Sequence, residues 1–297
     1  MFQSLWPYIK LMRPKQWIKN LFVITPLIFG MKLLEIDAVM HALLCMLIFC
    51  LAASAVYVFN DILDKPSDKE HPENYCRPLA AEVISIPHAF IFLAFLLLCT
   101  LILGYLSVYL WQMPIQVYVC LLAYFLINLG YSLGLKHWSL VEMFLVSSGY
   151  ILRVIAGCIA IDLIPSPWIL VATGVVALLI IAGKRRAELI SMDVKKHKRK
   201  VMDGYNLPFL DALISIFGGA AMMTYMIFSV SDYAMHKFQT QNLILTSIFV
   251  VFGVARYIQL IKDYGGRQDP TDLIVSEPGM CLAVLFWVIS VVLIIYV

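Results

Sequence analysis

Apolar runs of about twenty residues, the length that crosses a bilayer, recur almost from end to end of this sequence and constrain its fold more than any other feature. Cut at charges, Pro and Gly, they fall at 16–34, 38–60, 86–109, 113–134, 139–161, 166–183, 207–231, 241–262 and 279–297. The weakest cut separates the third run from the fourth, where only Tyr109 to Met113 intervene. Runs of this length predict helices, because in lipid a helix satisfies its own backbone groups. Leu, Ile, Val and Phe dominate without the alternation of a barrel strand. The expectation is an all-α membrane protein of nine transmembrane helices, one domain over 1–297. A short amphipathic opening with Trp6 and Tyr8 suits the interface. The chain is 62% hydrophobic and 14% charged, against about 45–50% and about 25% in soluble domains. A soluble protein with a large core is excluded.

The distribution of charge orients the bundle. With the N-terminus inside, 18 of the 22 basic residues fall on the cytoplasmic side; only Lys32 and Lys237 fall outside, and Arg153 and Arg256 lie within spans. By the positive-inside rule the N-terminus is cytoplasmic, and an odd number of spans puts the C-terminus outside. The inner loops at 61–85, 184–206 and 263–278 are the long ones and hold most of the carboxylates. Function is expected there, in a cell (inner) membrane with the active site facing the cytoplasm. A net charge of +3 gives no reason to invoke nucleic acid. Seven scattered cysteines, six of them in apolar runs and none in a CxxC pair, support neither zinc nor a disulfide framework. No signal-peptide pattern opens the chain.

The stretch Asn60-Asp61-Ile62-Leu63-Asp64-Lys65-Pro66-Ser67-Asp68 is the most informative. Asn60, Asp64 and Asp68 are spaced i, i+4, i+8, on one helix face, with Asp61 a near neighbour of Asp64. Pro66 is expected to end or kink the helix and bend the last carboxylate over the others. Like charges this close repel unless a cation lies between them. Magnesium takes hard oxygen ligands, binding through one or two carboxylates plus substrate phosphates. Asn60, Asp61, Asp64 and Asp68 are therefore the candidate metal ligands, and the three aspartates the candidate catalytic residues. The competing interpretation is a solvated polar helix end. Arg77, in Arg77-Pro78, could clamp a phosphate bidentately, whereas His71 reads as structural.

Asn60-Asp61-x-x-Asp64-x-x-x-Asp68, followed by His71-Pro72 and Arg77-Pro78, resembles the first aspartate-rich motif of the UbiA superfamily of intramembrane prenyltransferases. That resemblance implies a UbiA-like bundle of nine helices that uses Mg²⁺ to bind a diphosphate. The 6–7 loop departs from the family pattern. Where a second carboxylate cluster is usual, this chain has Gly183-Lys184-Arg185-Arg186-Ala187-Glu188-Leu189. Three adjacent cations suggest substrates with more phosphate than a single diphosphate; the plain alternative is a topology signal, as for Lys195 to Lys200.

The departure resembles one branch, the polyprenyl-phosphate phosphoribosyltransferases. Arg13-Pro14-Lys15-Gln16-Trp17-Ile18-Lys19-Asn20, Tyr131-Ser132-x-x-Leu135-Lys136, Arg256-Tyr257 and Asp269-Pro270-Thr271-Asp272 are similar to segments of that branch. The resemblance implies transfer of 5-phosphoribose from phosphoribosyl pyrophosphate (PRPP) to a polyprenyl phosphate, with Mg²⁺ as cofactor and the bilayer as setting. Lys19, Arg77, Lys184 and Arg185 become candidates for phosphate groups, Tyr131 and Lys136 for lining positions, and Glu188 for the substrate site. A homo-oligomer is compatible with the sequence but not specified by it.

Two rivals are distinguishable. A conventional UbiA enzyme moving a prenyl group to an aromatic acceptor would show a carboxylate cluster in the 6–7 loop, where Glu188 and Asp193 are sparse. A transporter would place its ionisable groups near the midplane, where only Arg153 comes close. An unpaired charge there costs at least about 2.5–3.5 kcal/mol, so Arg153 requires a partner or a wet cavity.

Overall fold

The computed structural model describes residues 5–70, 74–195, 202, 204–264 and 276–297. The helices are α1 Trp6–Met12, a 3-10 helix Pro14–Val23, α2 Thr25–Phe29, α3 Ile36–Glu70, α4 Ile86–Trp111, α5 Gln116–Leu133, α6 Val141–Ala160, α7 Pro167–Lys195, α8 Leu207–Ser229, α9 Asp232–Phe238, α10 Ser247–Tyr264 and α11 Pro278–Tyr296. Among the described residues, eight helices are long and apolar enough to cross a membrane, which makes this a multi-pass membrane protein. The expected count was nine. The difference lies in the first run, 16–34, which is not one α-helix but the 3-10 segment followed by the short α2. Ten residues at about 2.0 Å and five at about 1.5 Å still reach about 27 Å, close to the thickness of the hydrocarbon core.

The described chain groups into two compact units, one of residues 1–135 and 149–165, the other of residues 136–148 and 166–297. The division falls inside α6.

In the first unit α3 is the central element: 61% of its apolar window is buried, against 22% for α4. It buries Ala42, Ala52, Ala53, Ser54 and Ala55, small side chains that let neighbouring helices approach closely. Around them pack Val23, Phe49, Val117, Tyr124 and Ala156, with Leu11, Val58, Leu79 and Leu96 nearer the acidic end. At 35 residues α3 is about 52 Å long, so its final turns project beyond an apolar core of about 30 Å. Of the two outcomes expected at Pro66, an end or a kink, the helix does not end there: the proline lies inside it. A proline there removes one backbone hydrogen bond and is unfavourable by about 3 kcal/mol. The turn is held from outside, since Asp68 two residues on is tied to Arg77 and Asn74.

In the second unit α7 and α8 share a core of Leu178, Ile181, Leu189, Leu210 and Ile214 with Tyr257 and Ile261 of α10. Helices α8 and α11 start on side-chain caps: Asn206 accepts from the Phe209 N–H at 2.9 Å, and Glu277 from the Met280 N–H at 2.7 Å. Such caps satisfy donors that have no partner within the helix. Glu277 also holds Arg256 at 2.8 Å, so this intramembrane arginine is paired. Its bond to Arg256, then that to the Met280 N–H, keeps the Glu277 carboxyl below its ordinary range.

Candidate active site

The projecting end of α3 carries the acidic motif, and the structure sorts its members. Asp61 and Asp68 are buried, at 2% and 4% exposure, while Asn60 and Asp64 are half-buried. Arg77 Nη1 lies 2.6 Å from Asp68 Oδ2 and 3.3 Å from Asp61 Oδ1, bridging the two acids. Arg13 pairs with the same oxygen of Asp61 in a short ion pair. Asn74 donates to Asp68 Oδ1 at 3.0 Å. The Ser132 hydroxyl lies between Asn60 Oδ1 and the carbonyl of Asn128, 2.7 Å from the latter. The lysines next to the motif turn elsewhere: Lys69 reaches Glu82 at 2.5 Å and Lys65 at 3.8 Å. The bond from Lys69, then its charge and that of Lys65, hold the Glu82 carboxyl below its usual range.

These partners divide the four expected metal ligands. Asp61 is the acid on which two guanidinium groups converge, which its spacing alone did not reveal. Asn60, Asp64 and Asp68 all offer oxygen and share a helix face, but Asn60 and Asp68 stand eight residues, about 12 Å, apart along it, so a single hard cation would be held by Asp64 with one of the two. Asp68 gives one contact to Arg77 and one to Asn74, and a carboxylate has about four lone-pair sites. Among the described residues no group of three or more His, Cys, Asp or Glu side chains is gathered to hold a metal. Mg²⁺ binds through as few as one or two carboxylates together with substrate phosphates, which is what Asp64 with Asn60 or Asp68 could offer.

The cluster expected to be basic is different. Arg185 is 5% exposed and grips Glu142 with two hydrogen bonds, Nε to Oε1 at 2.6 Å and Nη2 to Oε2 at 2.5 Å. It also pairs with Glu188 one turn on. Arg186 pairs with Asp211 at 2.7 Å and donates to the Ile261 carbonyl at 3.1 Å. Two of the three adjacent cations are thus paired with carboxylates, and a substrate phosphate at Arg185 would have to share or break its bonds to Glu142 and Glu188. Tyr205 completes this network, donating to Glu142 at 3.3 Å and accepting from the Leu140 N–H at 2.7 Å. Burial is the main cause that pushes the Tyr205 phenol up to about 12, and the Glu142 charge adds to it while the Leu140 N–H opposes it. Tyr205 therefore remains a donor at neutral pH.

Of the other candidates, Lys19 is half-buried on the 3-10 helix and Tyr131 on the last turn of α5 beside Ser132. Lys136, in the short 3-10 turn Leu135–His137, and Lys184, on α7, are also half-buried. His71, Pro72, Lys196 to Lys200 and Asp269 to Asp272 lie outside the described residues. Arg13, Asn74 and Ser132 were missed as residues of the acidic site, and Glu142 as the buried partner of Arg185. Glu142 had a visible signal, a lone carboxylate within an apolar run. Asn74 had none.

The UbiA prenyltransferase family model matches residues 23–273. The chain is 30% identical over 290 residues to decaprenyl-phosphate phosphoribosyltransferase of Mycobacterium tuberculosis (strain CDC 1551 / Oshkosh), covering 95% of this chain and 92% of that protein. The enzyme of the same name from Mycolicibacterium smegmatis is 28% identical, covering 94% and 89%. A UbiA homologue from Archaeoglobus fulgidus, solved with GPP and Mg²⁺ bound, superposes with a TM-score of 0.69 at 15% identity, covering 96% of this chain and 99% of that one. With the matched region spanning both units and most of the chain, the protein belongs to the UbiA prenyltransferase family.

Proposed function

We propose that this protein transfers 5-phosphoribose from PRPP to a polyprenyl phosphate, releasing pyrophosphate, at the cytoplasmic face of the cell membrane, and works as a single functional domain. The observation that carries the reading is the near full-length similarity to two phosphoribosyltransferases, in a chain whose α3 presents Asn60, Asp64 and Asp68 beside the Arg77 clamp. Held by Asp64 with Asn60 or Asp68 and completed by substrate phosphate, Mg²⁺ would supply the positive charge that stabilises a departing pyrophosphate. Arg77 binds and orients the same group. Asp61 holds Arg13 and Arg77 in place, a positioning role. Lys19, Tyr131, Lys136, Lys184 and Glu188 remain candidates for the substrates' phosphate and sugar groups. An oxygen of the lipid phosphate attacks C1 of the ribose, the C1–O bond to pyrophosphate breaks, and its electron pair leaves with the pyrophosphate. The attacking oxygen is already anionic near neutral pH, so no general base is required. Catalysis then rests on positioning and preorganised charge.

The pairing of Arg185 and Arg186 with acids keeps one second reading in view, prenyl transfer from a polyprenyl diphosphate to an aromatic acceptor. The test is purified protein with Mg²⁺, PRPP and a polyprenyl phosphate, with products followed by mass spectrometry. A phosphoribosylated lipid is expected. No product with PRPP, together with prenyl transfer from a polyprenyl diphosphate, overturns the reading in favour of the second.

A further inference from the structure

The 3-10 helix Pro14–Val23 is ten residues long, whereas such helices rarely run beyond three or four. Something keeps it stretched. It is tied to α3 at three levels: Arg13, its N-cap, pairs with Asp61; Trp17 Nε1 donates to Ser54 Oγ at 3.0 Å; and Asn20 Nδ2 donates to Cys50 Sγ at 3.1 Å. Ser54 Oγ in turn lies 3.0 Å from the Met12 carbonyl. The partners run in opposite directions along the two elements. From Asp61 to Cys50, α3 advances about 16–17 Å. From Arg13 to Asn20, a 3-10 helix advances about 14 Å, whereas an α-helix would advance only about 10–11 Å. The extended form keeps all three ties in register, and an α-helix would fall short by roughly a full turn's rise.

Both ends are anchored. At the outer end Arg13 is in the left-handed region, φ 52°, ahead of Pro14. At the inner end Asn20 is 1% exposed and its Oδ1 accepts from Arg153 Nε at 2.6 Å. Arg153 is itself fixed on α6. Its Nη1 donates to the Gly149 carbonyl at 2.7 Å and its Nη2 to the Tyr124 hydroxyl at 3.2 Å, and its guanidinium lies 4.7 Å from the Tyr124 ring centroid. Among the described residues no carboxylate pairs with it. The expected partner thus exists but is neutral, and a buried cation held this way does not owe its place to an ion pair. One turn further along α6, Gly157 admits the Val23 carbonyl; a Cβ on Gly157 would stand 2.1 Å from that oxygen.

We propose that Arg153 is a positioning residue of the candidate active site: by holding Asn20 it keeps Pro14–Val23 extended as a 3-10 helix, and thereby keeps Arg13 on Asp61. Freed at its inner end, the segment relaxes toward an α-helix, shortens by about 3–4 Å over those seven residues, and draws Arg13 away from Asp61. Arg77 then serves both buried acids alone. The consequence for substrate binding rests on the function proposed above; the consequence for the segment does not.

Two readouts on the purified full-length protein separate these. In the first, lysyl endopeptidase cleavage after Lys19 is timed by intact-mass spectrometry. Arg153→Gln, which leaves no charge to bury, is expected to speed it by about tenfold, since local opening governs cleavage. Asn20→Ala, which removes the acceptor, should do the same and stands in if the first variant fails to fold. Unchanged cleavage in the folded variants overturns the proposal. In the second, Arg153→Gln raises KM for PRPP by about tenfold with kcat nearly unchanged, and adds less than about twofold in an Arg13→Gln background. A fall in kcat alone, or KM effects that multiply, overturns it as well. If the wild-type protein does not use PRPP, the proposed function fails, and cleavage after Lys19 alone decides the role of Arg153.

Discussion

Two ion networks, one at the end of α3 and one on α7, look alike on paper and differ in exposure. Each carries one more acid than base: Asp61, Asp64 and Asp68 with Arg13 and Arg77, and Glu142 and Glu188 with Arg185. At the end of α3 the guanidinium side chains remain open, with Arg13 27% and Arg77 26% exposed. On α7 they are sealed, with Arg185 6% and Glu142 0% exposed. A partly exposed cation can accept a phosphate without abandoning its acid, whereas a sealed one must first break a desolvated pair. Exposure of the cations, more than the tally of charges, distinguishes a network able to take a ligand from one that holds helices together.

The largest effects are expected at the end of α3. Asp64→Ala is expected to lower kcat/KM by about 10³-fold with thermal unfolding unchanged, the scale seen when a group stabilising developing charge is lost; near wild-type turnover would remove Asp64 from the catalytic group. On the sealed side Glu142→Gln is expected to act through stability. It leaves a buried arginine short of its bidentate partner and costs about 3 kcal/mol, read by denaturant unfolding, with KM unchanged in the remaining folded protein. Arg77→Lys sharpens the open side: a point charge cannot bridge Asp61 and Asp68 as a guanidinium does, and KM for PRPP should rise about tenfold.

Tyr205→Phe is a smaller test of the sealed side. It strips the Leu140 N–H of an acceptor and Glu142 of a donor, a loss of about 1–2 kcal/mol. In the wild type the Tyr205 phenol is raised from 10.0 to about 12 on folding. The folded protein therefore holds a proton that the unfolded chain has released. The resulting stability is present in full below about 10 and is lost as pH rises toward about 12. The phenylalanine variant should lack that decline in alkaline unfolding curves. The least effect is expected from Arg256→Gln at the more exposed pair with Glu277, a shift in Tm of no more than about 1–2 °C.

The apolar runs made most helices legible, because hydrophobic length is a local property: 207–231 became Leu207–Ser229, and 279–297 became Pro278–Tyr296. The shared face of Asn60, Asp64 and Asp68 was legible for the same reason. What escaped the sequence depends on residues far apart. Lys184, Arg185 and Arg186 read as one basic wall, yet on a helix successive side chains point about 100° apart. Arg185 consequently meets Glu142, 43 positions away, while Arg186 meets Asp211. The sparing of the helix at Pro66 depends on Arg77 and Asn74, in a separate segment. The 3-10 form of Pro14–Val23 depends on α3 and on Arg153, 133 positions from Asn20.

That 3-10 segment also bears on topology through parity. With eight crossings the two termini share a compartment, and with nine they are separated. The segment that decides the matter advances further per residue than the α-helix on which counting by hydropathy window relies. With the basic loops 61–85 and 184–206 expected in the cytoplasm in both cases, the C-terminus keeps its side, and it is a reporter fused ahead of the N-terminus that would give opposite answers.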